Sequence, residues 1–383
     1  MIIPLLLTSL ACGPSPSTSD GGDAGSPDGG GEGPRFVQAP RVQSTEARAL
    51  VLAWETDVPT HAEVAWLGGG DTGVTTAGDF LTARTIRVEG LPPGRSLRLQ
   101  VVAYDQGNRA VGAALEARTG LLRTSPARVL FDAAHGQRAG NADWIVDTSG
   151  RDPTPANPSV EDDWNGAYSA FGVDLVRTGR FVVEILTDGE SFGQGGVALA
   201  GYDLVVIPEP NNRLGGTEID ALDAYLRGGG GLLLIGNHGG SDRDNDGWDA
   251  VDVLNEALQG KAWGAALIGD RLSGAARATP DDALTDGPFG TADALGAFAG
   301  SSVRLEAGLD TDLRVVASVP GRATLALAGR VGQGRLLLHG DSSAADDGTD
   351  SGGNTNIYDA WHDPEQTNAA FFLNAASWLA GEY

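Results

Sequence analysis

Three of the five histidines follow short apolar runs and sit beside carboxylates. Arg128-Val129-Leu130-Phe131 leads into Asp132, His135 and Gln137, with Asn141 and Asp143 close behind. Leu204 to Pro208 leads into Glu209, Asn211 and Asn212. Leu232 to Ile235 leads into Asn237 and His238, and Arg335 to Leu338 leads into His339, Asp341, Ser342 and Ser343. Imidazoles and carboxylates in such company can move protons, hold a divalent ion or hydrogen-bond a polar ligand. The mixed set Asp132, His135, His238 and Asp341 would suit zinc, manganese or iron better than calcium. Those four are the candidate catalytic groups of a metal-assisted hydrolase. Gln137, Asn141, Asp143, Glu209, Asn211, Asn237 and Ser342 are the candidate ligand-binding groups around them. Singly, each has a plainer explanation: Asp132 as a helix cap, Asn211-Asn212 as a turn, His238 as a loop histidine. Falling together after apolar runs, they are read as one pocket.

A second constellation is Ser241-Asp242-Arg243-Asp244-Asn245-Asp246-Gly247-Trp248-Asp249. Asp242, Asp244, Asp246 and Gly247 fit the first half of a calcium loop, D-x-D-x-D-G. Alternate carboxylates in a tight turn converge on a hard cation, and glycine permits the turn. The twelfth position, which needs Glu in an EF-hand, is Val253, with Asp249 and Asp252 as nearby substitutes. The expectation is a looser calcium loop with Asp249 as fourth ligand; the alternative is a solvated acidic turn capping a helix over 249–258. A second acidic stretch, Asp341 to Glu365, holds Asp346, Asp347, Tyr358, Trp361 and His362 and reads as an ordered lid.

The elements that would position these groups follow from the apolar pattern. Buried runs at 129–131, 204–208, 232–235 and 335–338 alternate with helical patterns. Ser159 is placed as the cap of a helix carrying Val160, Trp164, Phe171 and Leu175, and Thr217 as the cap of one carrying Ile219, Leu222 and Leu226. Leu313 to Val319 and Ala323 to Ala328 read as a hairpin, and 369–380 as a closing helix. Over 126–383 this predicts an α/β open, mostly parallel sheet with helices on both faces. Ligands of such sheets bind beyond the carboxyl ends of the strands. From 35 to 120 the period is two instead, as in Leu50, Leu52 and Trp54, or Leu97, Leu99 and Val101, with turn signals between, which predicts a β-sandwich. The chain is thus expected to be multidomain.

Composition narrows the function. The 383 residues hold 51 Asp and Glu against 26 Lys and Arg, a formal charge of −25. That argues against nucleic-acid binding, which needs clustered cations. Nothing indicates a nucleotide cofactor. A single cysteine, Cys12, excludes an intramolecular disulfide and a cysteine-built zinc or iron–sulfur site. Ile2 to Ala11 is too short to span a bilayer, which takes about 20 residues, and suits a signal-peptide core. Residues 13–34 hold eight Gly, four Pro and four Ser with no aromatic, and are read as a disordered tether.

Three resemblances add to this. Ser9-Leu10-Ala11-Cys12 resembles the lipobox of bacterial lipoproteins, although Ser9 replaces the usual Leu and no cation precedes the run. It implies lipidation at Cys12 and a cell-envelope, membrane-anchored protein. Trp54, Leu91-Pro92-Pro93-Gly94 and the run Leu97 to Asp105 are similar to a fibronectin type III module, which implies a spacer or adhesion role. Leu97 stands where that family usually has Tyr. The strands at Val129 and Leu204, Gly229 to His238, Gly332 to Leu338 and the closing helix together resemble the class I glutamine-amidotransferase-like superfamily, including trehalose-utilisation-type proteins. That implies a flavodoxin-like arrangement. This region has no cysteine, so glutamine hydrolysis through a cysteine nucleophile is excluded. Gly340-Asp341-Ser342 and Asp132-x-x-His135 also look like the blocks of GDS-type esterases, in reversed chain order, and imply a serine esterase on Ser342 as a further alternative. The leading expectation is a lipoprotein that binds a small polar or cell-surface glycan ligand, with calcium; the metal-assisted hydrolase stands second.

Overall fold

The computed structural model describes residues 33–383 except 69, 141, 281, 355 and 356. The leader expected over 1–12, its Cys12, nearly all of the tether and the candidate Asn141 lie outside the described residues. Residues 34–383 form one compact unit. Among the described residues no helix is long and apolar enough to cross a membrane.

The first five strands are β1 (Phe36–Thr45), β2 (Ala49–Gly68), β3 (Asp71–Glu89), β4 (Ser96–Tyr104) and β5 (Ala110–Arg118). The long β2 changes partners along its length. Its first half pairs with β1 and its second half with β4, while β3 follows both halves. The ladder with β3 breaks between Glu55 and Thr60, around Pro59, which has no N–H to donate. Leu50, Leu52 and Trp54 from one half and Ala62, Val64 and Trp66 from the other enter a single core, joined by Ile86, Val88, Leu97, Leu99 and Val101. Alternate residues point inward, as the period-two pattern requires.

The rest of the chain contributes β6 (Ala127–Asp132), β7 (Phe181–Leu186), β8 (Leu204–Pro208), β9 (Gly231–Ile235), β10 (Trp263–Leu267), β11 (Leu272–Ala278), β12 (Asp286–Gly287), β13 (Gly290–Thr291), β14 (Ala294–Gly300), β15 (Val303–Gly308), β16 (Arg314–Val319), β17 (Ala323–Val331) and β18 (Gly334–His339). Its helices are α1 (Ser169–Arg177), α2 (Gly216–Arg227), α3 (Ala250–Gly260) and α4 (Asn368–Leu379). Nine strands form one sheet in the order β14-β11-β16-β17-β18-β9-β8-β6-β7. The buried runs are continuous because both faces are covered. Val129, Phe131, Val206, Leu233 and Leu337 pack on one side with Phe171 of α1 and Phe372 of α4. Leu130, Val205, Leu232, Leu234 and Leu338 pack on the other with Leu222 of α2 and Leu254 of α3.

The expected fold class does not hold. The sheet is mixed, not mostly parallel, and the molecule is predominantly β. Pairings β7–β6, β6–β8, β8–β9 and β9–β18 are parallel. Pairings β18–β17, β17–β16, β16–β11 and β11–β14 are antiparallel. A flavodoxin-like description therefore fails for the domain as a whole. The antiparallel half escaped sequence reading because β11 and β14 are built largely of Ala and Gly, with no β-branched residue to mark them. The helix expected from Ser159 is also shorter. Asp163 turns back to accept from the backbone N–H of Ser159 and Val160 at 2.6 and 3.2 Å, and α1 starts only at Ser169.

Candidate functional site

Strands β6, β8, β9 and β18 run parallel and end together, so the loops after them share one edge of the sheet. A cleft of about 520 Å³ opens there. Asn237 and His238 enter it from the end of β9, Arg243 from the acidic turn, Ser343 from the segment after β18, and Asp346 and Tyr358 from the long loop that follows. Trp144, Arg271 and Phe298 complete its walls.

Beneath the cleft lies a buried carboxylate, Glu209. Its backbone φ of 35° falls in the left-handed region that a long side chain rarely adopts. The strain is held by its N–H donating to Ile235 O at 2.8 Å and by Asn211 Nδ2 donating to its carbonyl at 3.1 Å. Asn237 Nδ2 donates to Oε1 at 2.9 Å and Ser342 Oγ to Oε2 at 2.5 Å. Burial pushes the Glu209 carboxyl up, while these donors, Arg243 and His238 pull it down. Arg243 Nε lies 3.6 Å from Oε1 and has no hydrogen-bond partner among the described residues. Asn211 anchors Arg243 too, accepting from its N–H at 3.0 Å. His238 Nδ1 is 2.9 Å from Gly239 O. A carbonyl only accepts, so Nδ1 carries the hydrogen and Nε2 accepts when the ring is neutral.

Asp132 and His135 form a separate group, sealed from solvent. His135 Nδ1 is 2.9 Å from both Asp132 oxygens, and Nε2 is 3.2 Å from Glu218 Oε1 on α2. The ring stacks on Phe192 at 5.4 Å. Burial would lower its pKa, but the two carboxylates override that and raise it to about 10. Gln137 donates to Asp132 at 2.8 Å and accepts from the His135 N–H at 2.8 Å. Burial raises the Glu218 carboxyl, but His135 and the N–H groups of Gly215 and Phe192 bring it below its ordinary range. The group pins the end of β6 to the start of α2.

The remaining candidates act on backbone. Asp341 is fully buried and accepts from the N–H groups of Phe298 and Ser343; burial pushes it up to about 7. His339, also buried, has Nδ1 3.0 Å from Asp341 O and 3.2 Å from Asp341 N, and burial lowers its pKa to about 4, so it is neutral. Asp143 accepts from Ala167 N–H at 3.1 Å and from Ser351. Asp347, in the long loop, accepts from Ser169 Oγ and Ala170 N–H at 2.8 and 2.7 Å, which caps α1 from outside and complements its dipole.

The structure thus brings together only part of each expected set. Asn237 and His238 line the cleft, with Glu209, Asn211 and Ser342 supporting it from below. Asp132, His135, Gln137, Asp143 and Asp341 are buried and outside its lining, so the four candidate catalytic groups do not surround one ion. Ser342 donates to Glu209 and has no histidine partner among the described residues. The only group of three or more close metal-ligand atoms among the described residues is Asp242, Asp244 and Asp246, all within 4.8 Å of one another. Asp249 is not in that group; it caps α3 by accepting from Val251 and Asp252 N–H at 2.9 and 3.0 Å.

Several wall residues had no sequence signal as site residues. Trp144, Arg271 and Phe298 stand alone in their segments, and Arg243 was hidden as a spacer between calcium-type aspartates. Glu218 lies on the α2 face that the apolar pattern assigns to packing. Tyr358 and Asp346 fell in the stretch read as a lid.

No family model and no curated protein sequence matches this chain. Solved structures to which this chain is similar include the mmIFT52 N-terminal domain, at 14% identity and TM-score 0.40, covering 66% of this chain and 96% of that one. They include a putative ThuA-like protein from Parabacteroides merdae, at 11% identity and TM-score 0.40, covering 67% and 90%. A human fibronectin type III domain covers 26% of this chain and 93% of its own, at 19% identity and TM-score 0.19.

Proposed function

We propose that the cleft at the carboxyl edge of β8, β9 and β18 binds a small polar ligand, a saccharide unit of a glycan, on a protein held at an extracytoplasmic membrane surface through lipid on Cys12. Residues 35–120 serve, in this reading, as a fibronectin type III-like spacer. The observation that carries the reading is the wall of the cleft. Trp144 is buried, yet its indole Nε1 has no hydrogen-bond partner among the described residues. A buried donor left unpaired is costly, and a small adjustment of this wall on binding would let a ligand acceptor satisfy it. Tyr358 is 48% exposed beside Phe298, with ring centroids 4.8 Å apart, which offers an apolar face of the kind a sugar ring packs on. Asn237, His238 and Ser343 supply hydrogen bonds around it. The volume falls within the usual range for small-molecule sites, about 300–1,000 Å³.

Binding is favoured over both hydrolytic readings because Ser342 and the Asp132–His135 pair are fully engaged elsewhere. The test is glycan binding by the full chain, compared with His238→Ala and Tyr358→Ala. Both variants should keep the melting temperature of the parent and lose affinity. Equal binding by parent and variants would remove the cleft from the account.

A further inference from the structure

The charge on the walls of the cleft runs against the charge of the chain. The protein carries −25 overall. The walls hold two guanidinium groups, Arg243 and Arg271, and the imidazole of His238, against one carboxyl, Asp346. That carboxyl is committed to the loop that carries it: Oδ1 accepts from Gly348 N–H and Oδ2 from Tyr358 N–H, both at 3.1 Å. Burial also pushes it up to about 7, so near neutral pH it is only partly ionised. Glu209, below, is taken up by Asn237 and Ser342 and lies 3.6 Å from Arg243 without a hydrogen bond.

Neither guanidinium donates a hydrogen bond to a described residue, and Arg243 has only the 3.6 Å approach to Glu209. Arg243 Nε is buried and unpartnered among the described residues. Arg271 is exposed and has no ion pair or side-chain hydrogen bond among them. Other arginines of this acidic chain meet a carboxylate more closely, as Arg123 meets Asp203 at 2.8 Å and Arg180 meets Glu382 at 2.9 Å. An arginine fork matches a planar carboxylate, and two forks lining one cleft can both serve it. The apolar surface of Phe298 and Tyr358 lies on the same cleft, within reach of a ring that carries such a group.

We infer that the ligand is an acidic sugar of the uronic-acid class, its carboxylate held by Arg243 and Arg271 and its ring packed on Tyr358. This rests on the saccharide reading of the cleft and adds the charge. Calorimetric titration of the full chain with D-glucuronate, D-galacturonate, D-glucose, glucose 6-sulfate and acetate tests it. At least one uronate should bind about tenfold or more tighter than glucose, the scale of a charge-assisted hydrogen bond. Added salt should narrow that gap. Arg271→Gln, at an exposed position, should lower uronate affinity about tenfold and glucose affinity by clearly less, so that the preference for the uronate falls. Glucose binding as well as the uronates, or indifference of uronate binding to Arg271→Gln, would overturn the charge assignment and leave the saccharide site standing. Preference for the sulfate would overturn the uronic-acid class. Acetate binding as tightly as the uronates would remove the ring contact, and absence of binding by every sugar would overturn both readings.

Discussion

The hydroxyl of Ser342 donates to the carboxylate of Glu209 at 2.5 Å, so the segment after β18 is fastened to the end of β8. Asn237, from the end of β9, donates to the other oxygen. Three strand ends are therefore held by one buried carboxylate, and the cleft rests on that junction. Ser342 acts as a strut in this arrangement. Ser342→Ala should destabilise the protein by about 1–3 kcal/mol, because a buried acceptor loses its donor. Urea unfolding of the parent and the variant measures it, and an unchanged midpoint would show that the junction carries no load.

His135 gives a pH signature. Its folded pKa of about 10 lies above the ordinary 6.5. The protonated ring therefore stabilises the fold fully below pH 6.5, and that contribution is lost as pH rises through about 10. Replacing it with Gln should cost about 3–5 kcal/mol at pH 6, since two buried carboxylates lose their cation. The stability gap between parent and His135→Gln should then shrink towards pH 10. A gap that stays constant from pH 6 to pH 10 would argue against a charged His135.

The parts of the fold that could be read from sequence are those whose burial is regular. Leu232 to Ile235 and Leu204 to Pro208 are strands because both faces of the sheet are covered there. The hairpin around Pro320-Gly321 and helix α4 follow the same logic. Strands β11 and β14 could not be read, because their Ala and Gly residues carry little hydrophobic or β-branched signal of their own. For the site, strand ends located Asn237 and His238 but did not reveal which polar groups turn inward. Asp132 and His135 share that edge with His238, yet Glu218, 83 residues along the chain from His135, draws the pair into a closed ion group.

The turn Asp242–Gly247 yields a metal prediction. Its three carboxylates repel one another, and the charges of Asp242 and Asp246 add to burial in raising Asp244. A calcium ion held by the folded protein would relieve that repulsion and raise stability by mass action. Melting should be several degrees higher with millimolar calcium than with chelator, and Asp244→Ala should abolish the difference. Superimposable melting curves for the parent under the two conditions would leave only a solvated acidic turn.

Lipidation at Cys12 predicts partition. The parent should fractionate with membranes and Cys12→Ala should be released. Retention of the variant at the parental level would exclude the lipid as the anchor.

The most direct measurement of the central claim is the indole N–H resonance of Trp144, assigned by its disappearance in Trp144→Phe. Trp144 lines the cleft, and its buried indole donor has no partner among the described residues. Titration with D-glucuronate and D-glucose should move this resonance progressively and to saturation, with His238→Ala weakening the response. If Trp144 stays fixed at saturating concentrations of both sugars, or if it moves equally in His238→Ala, the cleft is not the ligand site.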